Sequence, residues 1–220
     1  MTALRGSSGT VLDAELRVHR RAEQVMSMPA LHSRRWTIEE VDRLAEEREE
    51  SSPRYELVDG ELLVTAAPSG RHQRIILRLA IPLAAYVETN RLGELRLGPG
   101  EARLTPDSRF EPDIFVIPAI DGHMPRAAAP VTRLLLAVEV LSPSSSRHDR
   151  ITKRRFFQAH GVPEYWVVDG EAQAFEVWYP GDERAALLDD RLTWQPNSAA
   201  PPFDLDLAAL FSSVADETRD

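Results

Sequence analysis

The sequence predicts an α/β (α+β) fold in which a central mixed sheet is flanked by helices, and three observations carry that expectation. Helix-period and strand-period segments interleave in the order helix, hairpin, helix, strands, helix, strands. The run Leu134 to Leu141 is apolar at every position but Glu139, which is the pattern of a central strand covered on both faces. A chain of 220 residues with 43% hydrophobic content can bury an ordinary core, and its length favours one domain, with two at most.

Residues 1–33 show no sustained periodicity, open on Gly6-Ser7-Ser8-Gly9, and are expected to be a flexible extension. The folded domain is expected to span 34–212, with 213–220 a flexible tail. Thr37-Ile38-Glu39-Glu40 has the spacing of a capping box and opens a helix reaching to about Glu49. Tyr55 to Val58 and Glu61 to Thr65 read as a hairpin, because Asp59-Gly60 supplies the positive φ values of a two-residue turn. After Pro68 an amphipathic helix carries Ile75, Ile76, Leu79, Leu83 and Val87 and ends near Gly93, with Pro82 as a site for a kink.

Short strands are expected at Glu94 to Leu97, Ala102 to Leu104, Pro112 to Ile117 and Leu134 to Leu141. A helix from about Arg147 to His160 stops at Gly161, a residue suited to the left-handed position after a helix. Glu164 to Val168 and Ala174 to Trp178 are joined through Asp169-Gly170. The tail holds one strand near Leu192 and a short helix at Leu207 to Phe211.

Composition excludes several chemistries. The chain has no cysteine, so disulfides, thiolate metal sites and cysteine nucleophiles are absent. No apolar stretch is long enough to cross a membrane and the N-terminus lacks a secretory core, so a cytoplasmic protein with no membrane partner is expected. No Gly-x-Ser-x-Gly elbow, Gly-x-Gly-x-x-Gly or phosphate-loop pattern occurs. The net charge of −9 argues against constitutive tight binding to bulk nucleic acid. It is unevenly spread: residues 36–61 carry a net −7, and residues 147–160 a net +4.

A lone ionised carboxylate in a buried strand is costly unless a cation, a metal or hydrogen bonds compensate it. Glu139 is such a residue, and Asp113, at the start of Ile114-Phe115-Val116-Ile117, is a second. Two carboxylates at neighbouring strand starts, with a backbone carbonyl beside one, make an all-oxygen site suited to magnesium or manganese. Such an ion activates water and neutralises phosphodiester charge.

Glu56, Pro112-Asp113, Glu139-Val140-Leu141-Ser142-Pro143-Ser144, Asp149, Lys153 and the run Gly161 to Asp169 together resemble the Uma-two family of restriction-endonuclease-like proteins, a branch of the PD-(D/E)XK nucleases. The resemblance runs from about Trp36 to Trp178. It implies a restriction-endonuclease-like sheet, a Mg2+ (or Mn2+) cofactor bound by Asp113, Glu139 and the carbonyl of Val140, and DNA as substrate. The parent superfamily has lysine two residues after the glutamate, where this chain has Leu141. The resemblance makes Lys153, on the following helix, the displaced equivalent, with an ammonium near the attacking water or the phosphate and a pKa able to fall on burial. Glu56 and His72 match supporting positions; for the residues alone, Glu56 could equally pair with Arg54 and His72 be an exposed first-turn residue. Phe157 stands where the family often has tyrosine.

Arg71 and Arg74 on the long helix, and Arg150 and Arg154 on the cationic helix, are the candidate phosphate contacts, though a charge stripe is commonly a solvated face. Trp166 and Trp178 are read as core. A homodimer is expected because a duplex has two strands to cut. Two other functions fit the same residues: a catalytically inactive module that binds a partner through this fold, and a metal hydrolase of another phosphate ester.

Overall fold

A computed structural model describes residues 34–48, 53–124 and 130–215. The expected extension at 1–33 and residues 216–220 lie outside these, and the elements below all belong to the unit that begins at Trp36. Helix α1 spans Ile38–Glu46 and opens on the expected capping box: Glu40 N–H donates to Thr37 Oγ1 and Thr37 N–H to Glu40 Oε2. Strands β1 (Arg54–Val58) and β2 (Glu61–Thr65) form the hairpin, with Asp59 and Gly60 at φ of 50° and 80°. Helix α2, Gly70–Thr89, runs unbroken through Pro82.

The main sheet has six strands, β3 (Gly93–Leu97), β4 (Ile114–Pro118), β5 (Leu136–Val140), β6 (Tyr165–Asp169), β7 (Ala174–Trp178) and β8 (Ala186–Leu188), hydrogen-bonded in that order. Only β5 and β6 pair in parallel, so the sheet is mixed as expected. Strands β9 (Arg191–Trp194) and β10 (Phe203–Asp206) form a second hairpin, followed by helix α4, Leu207–Ser212. The folded unit continues past 212, since Val214 is fully buried. The strand expected at Ala102 to Leu104 reduces to one bridge between Ala102 and Phe110. Strands β8 and β10 were not expected from the sequence; β8 has only three residues, too few to display an alternation.

A further difference lies after β5. The continuous helix expected from Arg147 to His160 is a π-helical turn, His148–Lys153, followed by helix α3, Arg154–Ala159. The Arg154 N–H bonds the carbonyl of Asp149, five residues back. Gly161, at φ 71°, takes up the left-handed position after α3.

The sheet separates two cores. Because side chains alternate along a strand, Leu136, Val138 and Val140 of β5 and Ile114 and Val116 of β4 pack with Ile75, Leu79, Leu83 and Val87 of α2 and with Leu207, Leu210 and Phe211 of α4. Ala137 and Phe115 face the other way, against Val58 and Leu63 of the hairpin and Phe156 and Phe157 of α3. By the same parity Glu139 and Asp113 fall on this second face. Trp166 and Phe157 are both fully buried, and Trp178 packs partly buried against the second core.

Candidate active site

Strands β4 and β5 pair with Ile114 opposite Val138. Continuing that antiparallel register by one residue sets Asp113 across from Glu139, at the end of the sheet where β5 finishes. The two carboxylates therefore share a face and a level, and the Val140 N–H donates to Asp113 Oδ2 at 2.9 Å. Their surroundings are closed: Glu56, Asp113, Glu139, Asp149 and Lys153 are all less than 5% exposed.

Each carboxylate has been given protein partners. Arg54 Nη1 donates to Asp113 Oδ1 at 2.8 Å, and His72 Nε2 lies 3.0 Å from Asp113 Oδ2. Burial alone would raise the Asp113 carboxyl, yet the His72 hydrogen bond, the Arg54 guanidinium and the Val140 N–H hold it below the usual carboxylate range. Glu139 Oε1 accepts from Lys153 Nζ at 2.9 Å. The same ammonium is 2.7 Å from Glu56 Oε2 and 3.2 Å from Asp149 Oδ1, in ion-pair contact although outside hydrogen-bond direction. Glu56 Oε1 accepts from the Glu111 N–H at 2.9 Å.

Two sequence expectations change here. Arg54 does not pair with Glu56; it stands on the same strand face two residues earlier and reaches Asp113. Burial does not lower Lys153 either. Desolvation pulls its pKa down, but the carboxylates of Glu139, Glu56 and Asp149 outweigh it and hold the ammonium well above the usual lysine range. Lys153 is thus a fixed charge at the centre of three acids. Glu139 and Asp149 move up, chiefly through burial, with the Lys153 charge opposing and the neighbouring acids adding to the shift.

The site opens to solvent on either side of His72. One cleft, of about 330 Å³, has Arg54, His72 and Asp113 in its lining; the other, of about 590 Å³, includes His72, Val140 and the Ser142 to Ser146 turn. Of the four candidate phosphate contacts, Arg71 and Arg150 line the larger cleft. Arg71 is bonded to Glu171 and to the Gly170 carbonyl, and Arg150 to Asp169 and Glu176. Arg154 lies away from both clefts, over the ring of Trp178 at 4.5 Å, and Arg74 is exposed on α2 outside either lining.

The donor set suits a hard divalent cation in kind: carboxylate oxygens and one carbonyl, with four buried acids against the two permanent cations Arg54 and Lys153. Asp149 Oδ2 has no hydrogen-bond partner. No group of three or more His, Asp or Glu side chains among the described residues is arranged as a ready metal centre. Asp113, Glu139 and the Val140 carbonyl amount to two side chains and one backbone oxygen, a set that water would complete.

The model of a protein family described as "Putative restriction endonuclease", Uma2, matches residues 38–208. The chain belongs to the Uma2 family. An uncharacterised protein of Synechocystis sp. is 26% identical over 145 residues, covering 64% of this chain and 80% of its own length. A crystal structure described as a "putative nuclease belonging to DUF820" from Anabaena variabilis shares the fold at a TM-score of 0.64 and 22% identity, over 80% of this chain and 98% of that one. The restriction-endonuclease-like sheet expected from the sequence is therefore the fold of the Uma2 chain. No helix among its described residues is long and apolar enough to cross a membrane.

Two residues of the candidate site and one beside it were given no functional role from sequence. Arg54 carried a signal, its two-residue spacing from Glu56 on one strand. Asp149 carried another, its four-residue spacing from Lys153 on one helix face. Glu111, beside the site and fully buried between Arg48 and Arg109, carried the same two-residue spacing from Arg109, but nothing pointed to Arg48, on a distant segment.

Proposed function

We propose that this Uma2 chain is a metal-dependent endonuclease that hydrolyses DNA phosphodiester bonds. Asp113 and Glu139 serve as carboxylate ligands, with the Val140 carbonyl beside them. The observation that carries the reading is the excess of buried acid on one sheet face, four carboxylates against two permanent cations. Such an excess is costly without a further cation or protons. A bound Mg2+ or Mn2+ would supply an activated water and stabilise the phosphate charge that develops during cleavage.

The chain's own residues have distinct parts in this reading. Lys153 stays charged and fixes the orientations of Glu139 and Glu56, a displaced equivalent of the lysine that usually follows the glutamate. His72 Nε2 contacts Asp113, and its Nδ1 has no hydrogen-bond partner. Arg71 and Arg150 border the cleft with their charges already matched by acids, so they dock phosphate only by exchanging partners.

The test is cleavage of plasmid, linear duplex and single-stranded DNA with Mg2+, Mn2+ or EDTA. Cleavage is expected only with a divalent cation. Asp113→Ala or Glu139→Ala should reduce it at least about a thousandfold, equivalent to about 4 kcal/mol of transition-state stabilisation, with the circular-dichroism spectrum unchanged. Absence of cleavage with either ion, or unimpaired variants, would overturn the reading. The saturation of Asp113 by Arg54, His72 and Val140 favours one alternative, a module that binds DNA without cutting it.

A further inference from the structure

The two clefts beside His72 differ in chemistry, and the difference bears on which form of nucleic acid the site can accept. The larger is polar at its rim, with Ser142, Ser144 and Ser146 and the arginines Arg71 and Arg150. The smaller has a charged floor, Arg54, His72 and Asp113, below walls that include Ile76, Leu77 and Leu97. Leu77 and Leu97 are 55% and 42% exposed, and Ile81, one turn beyond Leu77, is 59% exposed. Gly98 leaves the cleft without a side chain at that point; a Cβ there would lie 3.0 Å from the Pro112 carbonyl and 3.5 Å from Arg54 Nη1.

An apolar slot directly above a charged floor fits a ligand that joins a flat apolar part to an anion. A nucleotide within a strand is such a ligand. In a duplex the base is stacked and paired and cannot enter a side cleft without being extruded. Charge points the same way. The chain carries a net −9, and both arginines bordering the polar cleft are bonded to acids, which leaves little to match the two phosphate rows of a duplex. Contact between an unpaired base and the aliphatic walls of Ile76, Leu77 and Leu97 is apolar burial and needs no cation.

We propose that the cleft between Leu77 and Leu97 receives an unpaired base of a single DNA strand. The adjoining phosphate lies at Arg54 on the cleft floor, and the following nucleotides pass His72 into the serine-lined cleft. This rests on the nuclease reading of the site and narrows its substrate to single-stranded or locally unpaired DNA.

The experiment is fluorescence anisotropy of the full chain in EDTA, using labelled oligothymidylate, the same strand with abasic positions, a duplex of equal length, and oligouridylate. The thymidylate strand should bind at least about tenfold more tightly than the duplex or the abasic strand, as expected where base contacts dominate. Leu77→Asn and Leu97→Asn, both at exposed and uncharged positions, should each remove most of that preference without changing the melting temperature. Equal or tighter binding of duplex, equal binding of the abasic strand, or tighter binding of oligouridylate would overturn the proposal. So would variants that alter the sedimentation coefficient and leave strand binding intact, since the apolar wall would then be a contact between copies. Because the readout is binding without metal, a failure of cleavage would count against the nuclease reading alone, and a loss of strand preference against this proposal alone.

Discussion

The two faces of the main sheet are built from the same strands and carry opposite chemistry. On the face covered by α2 and α4, the strand side chains form an unbroken apolar layer from Ile114 through Trp166 to Phe175. On the face covered by the first hairpin and α3, apolar packing gives way at one end to Glu56, Asp113, Glu139, Asp149, Arg54 and Lys153. The first face gains stability from every residue it buries. The second buries charge whose mutual attraction does little more than offset its desolvation. A protein does not need such a cluster to fold, and its presence at the end of a strand pair, next to two clefts, is why the proposed function is assigned to this face.

The comparison is broken most sharply by removing the cation from one face and an equal bulk from the other. Lys153→Met leaves Glu56, Glu139 and Asp149 buried together without their shared ammonium, and should cost about 3–5 kcal/mol at neutral pH. Glu139 and Asp149 already have raised pKa values in the folded state. For an acid so shifted, stability falls as pH rises from the unfolded value, about 4, toward the folded one. The Lys153→Met deficit should therefore shrink on acidification toward pH 5. Leu136→Ala, on the apolar face, should cost about 3 kcal/mol through lost burial and a residual cavity, with no dependence on pH. Urea denaturation at pH 5 and pH 7.5 measures both, and a pH-independent Lys153→Met deficit would remove the charge-cluster argument.

A buried acid at the far end of the sheet sharpens the contrast. Glu164 accepts a hydrogen bond from Trp166 Nε1 and lies near the Tyr179 hydroxyl, with no cation partner among its hydrogen bonds and ion pairs. Burial pushes it up to about 7. It should lower stability as pH rises from about 4.5 to 7, so Glu164→Gln should stabilise the chain at pH 8 by on the order of 2 kcal/mol, after allowance for its partial solvent access. The gain should vanish near pH 4. A melting-temperature series across that range checks it, and an equal gain at pH 4 would point to packing instead.

The smallest effect is expected at the rim. Arg71 and Glu171 form an exposed pair, the glutamate 88% exposed, and such pairs contribute under about 1 kcal/mol. Arg71→Ala should leave the melting temperature within a degree or two, given what about 0.5 kcal/mol does to a domain of this size, while weakening DNA binding in a salt-dependent way. Unchanged binding at low salt would remove Arg71 from the interface.

Much of this was legible in the sequence because it depends on local rules. The capping box at Thr37, the Asp59-Gly60 turn, the period of α2 and the positive φ at Gly161 are set by residues within a few positions of one another. The lone acid in Leu134 to Leu141 pointed to the candidate site for a similar reason, since a charge in an apolar run is anomalous wherever the strand packs. The π-helical turn at His148–Lys153 was not legible, because over six residues its periodicity differs too little from that of an α-helix. The partners of the charges were also out of reach. Lys153 could be placed on a helix face, but its enclosure by Glu56, Glu139 and Asp149 depends on β1, β5 and the π-helical turn converging.

What the sequence by itself determined is the order and type of the main elements, the Uma-two resemblance and the identity of the central acids. Only the tertiary structure decided that Arg54 neutralises Asp113, that Lys153 is held charged instead of being neutralised by burial, and that Arg71 and Arg150 are already matched by acids. The reason is physical. Secondary structure follows from backbone geometry and the spacing of apolar residues along the chain, whereas the state of a buried charge is set by every group within a few ångströms, and those groups come from segments far apart in sequence.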